Sequence, residues 1–93
     1  MTNSLTDFQE SLHSELDQLF MASGRRLVWT VGGESERFYH ATLVEERIEI
    51  WLYEDEAECR FGSFHRLCER PDFESTERLK EYFLDVVRTR LHR

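Results

Sequence analysis

A chain of 93 residues, 33% of them charged and 40% hydrophobic, with one proline and four glycines, can close one core without a metal or disulfide staple. That balance excludes a disordered or collagen-like chain, and the longest apolar runs are too short to span a membrane. A net charge of −7 argues against direct, non-specific nucleic-acid binding, which needs a basic patch; it permits a basic protein partner, or simply keeps the chain soluble.

The first residues, Met1 to Asp7, lack the basic region and apolar block of a secretory signal, so a cytoplasmic location is expected. From Leu5 to about Ala22, the residues Leu5, Phe8, Leu12, Leu16, Leu19 and Phe20 recur three and four apart and predict an amphipathic helix. Ser4 or Thr6 can cap it, Thr6 with Gln9 has the spacing of a capping box, and Gly24 supplies a stop. Arg25 to Val31 reads as a strand, Gly32 to Glu36 as a loop, and Arg37 to Val44 as a second strand. A five-residue loop between these strands turns Leu27, Trp29 and Val31 toward the core and is preferred to a four-residue loop, which turns them out.

Glu46 to Asp55 is the stretch on which the sheet is built. Ile48, Ile50 and Leu52 alternate with Glu49, Trp51 and Tyr53, so the strand has an apolar face and a mixed one. A tight turn at Glu45-Glu46 sets Leu43, Ala41 and Tyr39 opposite Ile48, Ile50 and Leu52. The other face then pairs Thr42 with Glu49, His40 with Trp51 and Phe38 with Tyr53. A slip of one residue would bury Glu49 and Arg47, which the cost of burying charge forbids.

A turn near Asp55-Glu56 leads to an expected fourth strand, from about Ala57 to Phe64, with Cys59 beside Leu52, Phe61 beside Ile50, Arg60 beside Trp51 and Glu58 beside Tyr53. His65 to Phe73 reads as irregular. Ser75 then caps a last helix with the apolar stripe Leu79, Tyr82, Phe83, Val86, Val87 and Leu91, and Arg88, Arg90 and Arg93 at its C-terminal end. The expectation is a single α+β domain over residues 1–93, ordered α-β-β-β-β-α, with both helices packed on one face of a four-stranded antiparallel sheet.

No motif of catalysis or of cofactor binding emerges, and the chain is read as a non-enzyme without cofactor. Gly32-Gly33 lacks the Lys-Ser/Thr of a phosphate loop. Cys59, His65 and Cys68 lack the close pairs and fourth ligand of a zinc site, so no metal is expected and both cysteines are read as buried or incidental thiols. His13 and His92 fall at polar helix positions and read as solvated. The functional signal is the open sheet face: Phe38, His40, Glu49, Trp51, Tyr53 and Arg60, with Glu54, Asp55 and Glu58 at its rim. Large aromatics and an arginine interleaved with charges suit a protein interface, either with a partner or between two copies.

Residues 48–57 (Ile-Glu-Ile-Trp-Leu-Tyr-Glu-Asp-Glu-Ala), followed by Asp72-Phe73-Glu74-Ser75 leading into Leu79, Phe83 and Val87, resemble small bacterial immunity proteins of polymorphic toxin systems. The likeness covers about the second half of the chain and lies in residue types. It implies a protein that binds and blocks a cognate toxin, with a basic nuclease suiting the acidic charge; it brings no shared site residues. Two alternatives stand beside it: a phage or mobile-element inhibitor whose carboxylates imitate DNA, and an acidic, homodimeric secretion-chaperone-like protein.

Overall fold

The computed structural model describes residues 5–92. The order is α1 (Asp7–Ala22), β1 (Val28–Gly32), β2 (Phe38–Leu43), β3 (Ile48–Leu52), β4 (Glu56–Phe61), β5 (Phe64–Glu69) and α2 (Thr76–Leu91), with 3-10 turns at Val44–Glu46 and Arg70–Asp72. The five strands form one antiparallel meander, β1-β2-β3-β4-β5, and both helices cover the same face. The class is the expected α+β sandwich, with five strands where four were expected.

The extra strand comes from Gly62. Phe61 pairs with Phe64, so Gly62 and Ser63 form a two-residue hairpin turn, and Gly62 takes the positive φ of 64° that such a turn wants at its first position. What reads as one strand, Ala57 to Phe64, is therefore nearly all of β4, the turn, and the first residue of β5. His65 to Glu69, expected to be irregular, complete β5; only the segment after it, with Pro71, is turn-like.

The β2–β3 register is the expected one: Leu43 faces Ile48, Ala41 faces Ile50 and Tyr39 faces Leu52. Its connection differs. Val44–Glu46 coils as a 3-10 turn and Arg47 closes it in the left-handed region, φ 59° and ψ 42°, where a tight two-residue turn at Glu45-Glu46 was expected. The β3–β4 register is two residues from expectation, because the Tyr53 N–H bonds the Glu56 carbonyl and the turn is Glu54-Asp55. Ile50 thus faces Cys59, Ile48 faces Phe61, Glu49 faces Arg60 and Trp51 faces Glu58. A shift by two keeps every side chain on its expected face and changes only its neighbour.

The β1–β2 loop has the preferred length of five residues but spans 33–37 where Gly32 to Glu36 was expected. Gly32 therefore lies opposite Phe38 and Trp29 opposite Ala41, a register two residues from the expected one that keeps each side chain on its expected face. Leu27 is buried and Trp29 packs against the core, whereas Val31, expected in the core, remains 43% exposed at the sheet edge. The core consists of Leu12, Leu16 and Phe20 of α1, Leu79, Phe83, Leu84, Val87 and Leu91 of α2, and the inward residues of the strands, including both cysteines.

The caps follow the sequence. Thr6 Oγ1 accepts from the Gln9 N–H at 3.2 Å and Gln9 Oε1 accepts from the Thr6 N–H at 2.7 Å, a full capping box, while Ser75 Oγ accepts from the Arg78 N–H at 3.2 Å. Ser4 and Arg93 lie outside the described residues. His13 is not solvated as expected: it is half-buried, with its ring 4.3 Å from that of Trp29 and 4.4 Å from that of Tyr39. Among the described residues, no helix is long and apolar enough to cross a membrane.

Candidate functional site

Because successive side chains alternate across a strand, the register sorts the uncovered face into rows running across the sheet. One row is Val28, Thr42, Glu49, Arg60 and His65; the next is Thr30, His40, Trp51, Glu58 and Leu67. Phe38, Tyr53 and Glu56 lie beyond them at the end where β3 turns into β4. Every residue assigned to the open face from sequence, Phe38, His40, Glu49, Trp51, Tyr53, Arg60 and Glu58, is therefore on it. Glu54 and Asp55 form the exposed turn at its rim.

Trp51, on the central strand, organises the face. The His40 ring stacks on it with centroids 5.1 Å apart and an interplanar angle of 15°, and the Arg60 guanidinium carbon lies 5.9 Å from the indole centroid. Arg60 reaches the indole diagonally, since its direct partner is Glu49. A guanidinium at this distance contributes about 0.5–1 kcal/mol at an exposed site. Glu49 bridges the imidazole and the guanidinium, with Oε2 3.2 Å from His40 Nε2 and Oε1 3.6 Å from Arg60 Nη1.

The second cluster uses Glu58. It accepts from the Tyr53 hydroxyl at 3.3 Å and pairs with His65 Nε2. Burial raises the Tyr53 pKa, and the Glu58 charge and hydrogen bond raise it further, so the phenol stays a donor. The Phe38 and Tyr53 rings pack at 5.7 Å, and the tip of the Phe38 ring lies beside Gly32. A Cβ at Gly32 would come within 2.6 Å of the Phe38 ring, so this glycine makes the room in which the ring lies.

Carboxylates crowd one end of the face. Glu54, Asp55, Glu56 and Glu69 gather at the β3–β4 turn, on the same side as Glu34 and Glu36 of the β1–β2 loop. Glu56 has its pKa raised by burial first, and then by the charges of Glu69, Asp55 and Glu58. At the other end Arg47 and Arg60 border a recess of about 280 Å³ with Thr42, Val44 and Glu49; neither His40 nor Cys68 lines it. Among the described residues, no group of three His, Cys, Asp or Glu side chains is placed to hold a metal ion.

Sequence reasoning missed His65, Leu67 and Glu69, because β5 was read as irregular. The signal for them was Gly62-Ser63 followed by a second alternation, with Phe64 and Cys68 inward and His65 and Leu67 outward. The chain matches no protein-family model, no curated protein and no solved structure.

Proposed function

We propose that this chain is a non-enzymatic binding protein that captures and inhibits a basic protein partner on the open face of its sheet, as an immunity protein neutralises a toxin. The observation that carries this reading is the partly exposed cluster of Trp51, His40, Arg60, Phe38 and Tyr53, bounded at one end by Glu54, Asp55 and Glu56. Aromatic and arginine side chains supply most hot-spot energy at protein interfaces, and a carboxylate rim speeds encounter with a cation-rich surface. The side chains here are held by stacking and ion pairs before any partner arrives, which lowers the entropy lost on binding.

The test is capture of the partner from native-host lysate with the tagged protein, followed by titration calorimetry on the purified pair. A basic partner bound in a simple ratio is expected, with Trp51→Ala weakening it by about thirtyfold or more, equivalent to a hot spot of about 2 kcal/mol. Rising salt is expected to slow association. Unchanged affinity in both Trp51→Ala and Arg60→Ala sinks the reading.

The carboxylates gathered at the β3–β4 turn favour one second reading, a DNA mimic that occupies a nucleic-acid-binding machine. Under that reading DNA competes with this chain for the partner, and Glu54→Gln with Asp55→Asn weakens binding more than Trp51→Ala does.

A further inference from the structure

We infer that the recess between α2 and the edge strand β5 binds a phosphate group, held between the guanidinium groups of Arg66 and Arg90. The site lies on the helix side of the sheet, behind the face proposed for the protein partner, and does not depend on that reading.

Alternation along β5 sends Phe64, Arg66 and Cys68 to the helix side, where α2 packs against the strand. Phe64 is the floor of the site. The guanidinium carbon of Arg90, in the last turn of α2, lies 3.5 Å from the centroid of the Phe64 ring, and that of Arg66 lies 5.6 Å from it. Arg66 also lies 5.9 Å from the Tyr82 ring and donates through Nη1 to the Tyr82 hydroxyl. These side chains, with Val86 and Thr89, border a recess of about 260 Å³.

The chain carries 19 acidic residues, yet neither Arg66 nor Arg90 meets a carboxylate among the described residues. Asp85 borders the recess, but it is exposed and pairs with Arg88, Oδ1 3.8 Å from Nη1. The other arginines without a carboxylate differ from these two. Arg26, Arg37 and Arg47 are exposed, and Arg70 donates to the carbonyls of Phe73 and Glu74. Arg66 and Arg90 are half-buried. A cation drawn partly out of water needs a counter-charge. Stacking attracts each guanidinium to Phe64 separately and does nothing for the repulsion between them. An anion seated between them offsets it.

The donors select the anion. Two planar guanidinium forks face the recess, and the Tyr82 hydroxyl, which accepts from Arg66, keeps its own proton to donate. The Thr89 hydroxyl borders the same space. A carboxylate offers two oxygens to this set and a phosphate at least three, so phosphate satisfies more of it. The recess is larger than a bare phosphate and leaves room for a monoester.

The experiment is a nuclear magnetic resonance titration of the full chain with inorganic phosphate at constant ionic strength, following backbone amides and arginine Nε–H signals. Saturating shifts are expected at Arg66, Tyr82 and Arg90. Glycerol 3-phosphate is expected to reproduce them, and acetate to bind more weakly. Arg66→Gln and Arg90→Gln should each weaken phosphate by about tenfold or more, through lost charge-assisted hydrogen bonds. Arg90→Gln lies in the last turn of a helix and keeps the fold, so it carries the test even where Arg66→Gln loosens β5. Trp51→Ala should leave phosphate affinity unchanged, so this inference and the partner-binding reading fail separately. Shifts that never saturate, or that are as large at the exposed Arg26, Arg37 and Arg47, show screening of surface charge and overturn the proposal. So does acetate bound as tightly as phosphate, or phosphate affinity that Arg90→Gln leaves intact.

Discussion

Gln9 Nε2 donates to the main-chain carbonyl of Leu52, 3.0 Å away across 43 residues of sequence, and to that of Arg37 at 2.8 Å. The same side chain closes the capping box of α1 through Oε1. One buried amide thus fixes the start of a helix, the approach to β2 and the end of β3, next to Trp51 and Tyr53. Gln9→Leu fills similar space but leaves two carbonyls and the Thr6 N–H without their partner. An unsatisfied buried polar group costs about 1–3 kcal/mol, so a loss of about 2–3 kcal/mol is expected. Urea denaturation measures it. Tyr39→Phe, which removes an exposed hydrogen bond to Glu10, should cost well under half as much. Equal losses from the two variants would mean that water replaces the Gln9 bonds.

Neighbouring residues on β3 separate scaffold from surface. Ile50 is fully buried between the sheet and the helices, and its truncation to alanine should cost about 2–5 kcal/mol through lost transfer energy and a cavity. Trp51 faces the other way. Its stack with His40 and its contact with Arg60 are cross-strand terms of about 0.2–1 kcal/mol each, so Trp51→Ala should cost about 1–2 kcal/mol and leave the fold intact. Thermal melts of both variants decide the matter. If the two lose equal stability, the aromatic cluster belongs to the scaffold and its place in binding needs another explanation.

How much of this was legible in the sequence differs from strand to strand. The β2–β3 register could be read because Glu49 and Arg47 penalise a one-residue slip through buried charge, and that penalty acts wherever the turn lies. The β3–β4 register could not be fixed in the same way: a two-residue shift preserves every face, and only the turn at Glu54-Asp55 selects among such shifts. Gly62 hid in a run of strand-forming residues, and with it went β5 and the open-face positions of His65 and Leu67. His13 was misread because a polar residue on a helix carries no sign that Trp29 and Tyr39, from strands at the sheet edge, will close around it.

Cys59 and Cys68 lie on adjacent strands and face the core, both as free thiols. Burial pushes the Cys59 pKa up to about 12, with the Cys68 charge adding to it. Burial likewise pushes Cys68 up to about 11, partly offset by Arg66. The thiolate is the reactive form, so both cysteines should resist a thiol reagent such as Ellman's at pH 8 in the native protein and react fully in denaturant. Rapid native reaction of either residue would show that β4 and β5 open easily. Cys68→Ala is then expected to slow the reaction only if that residue is the accessible one.

Glu56 should make stability fall with pH over part of the acid range. Burial raises its pKa above the usual value of 4.5, and Glu69, Asp55 and Glu58 raise it further. Between the unfolded value and the higher folded one, the native state holds a proton that the unfolded chain has released, so rising pH favours unfolding in that window. Above the folded pKa the penalty is constant; below the unfolded pKa it vanishes. Glu56→Gln removes it, so the variant should be more stable than the wild type at pH 7 and closest to it near pH 4. Other carboxylates titrate in both proteins, which makes the difference between the two denaturation free energies, followed from pH 3 to pH 7, the quantity to measure. That difference should rise through the window and then level off. A difference that shrinks with pH would show that ionised Glu56 gains a cationic neighbour, and that the carboxylates at the β3–β4 turn do not repel one another as their grouping requires.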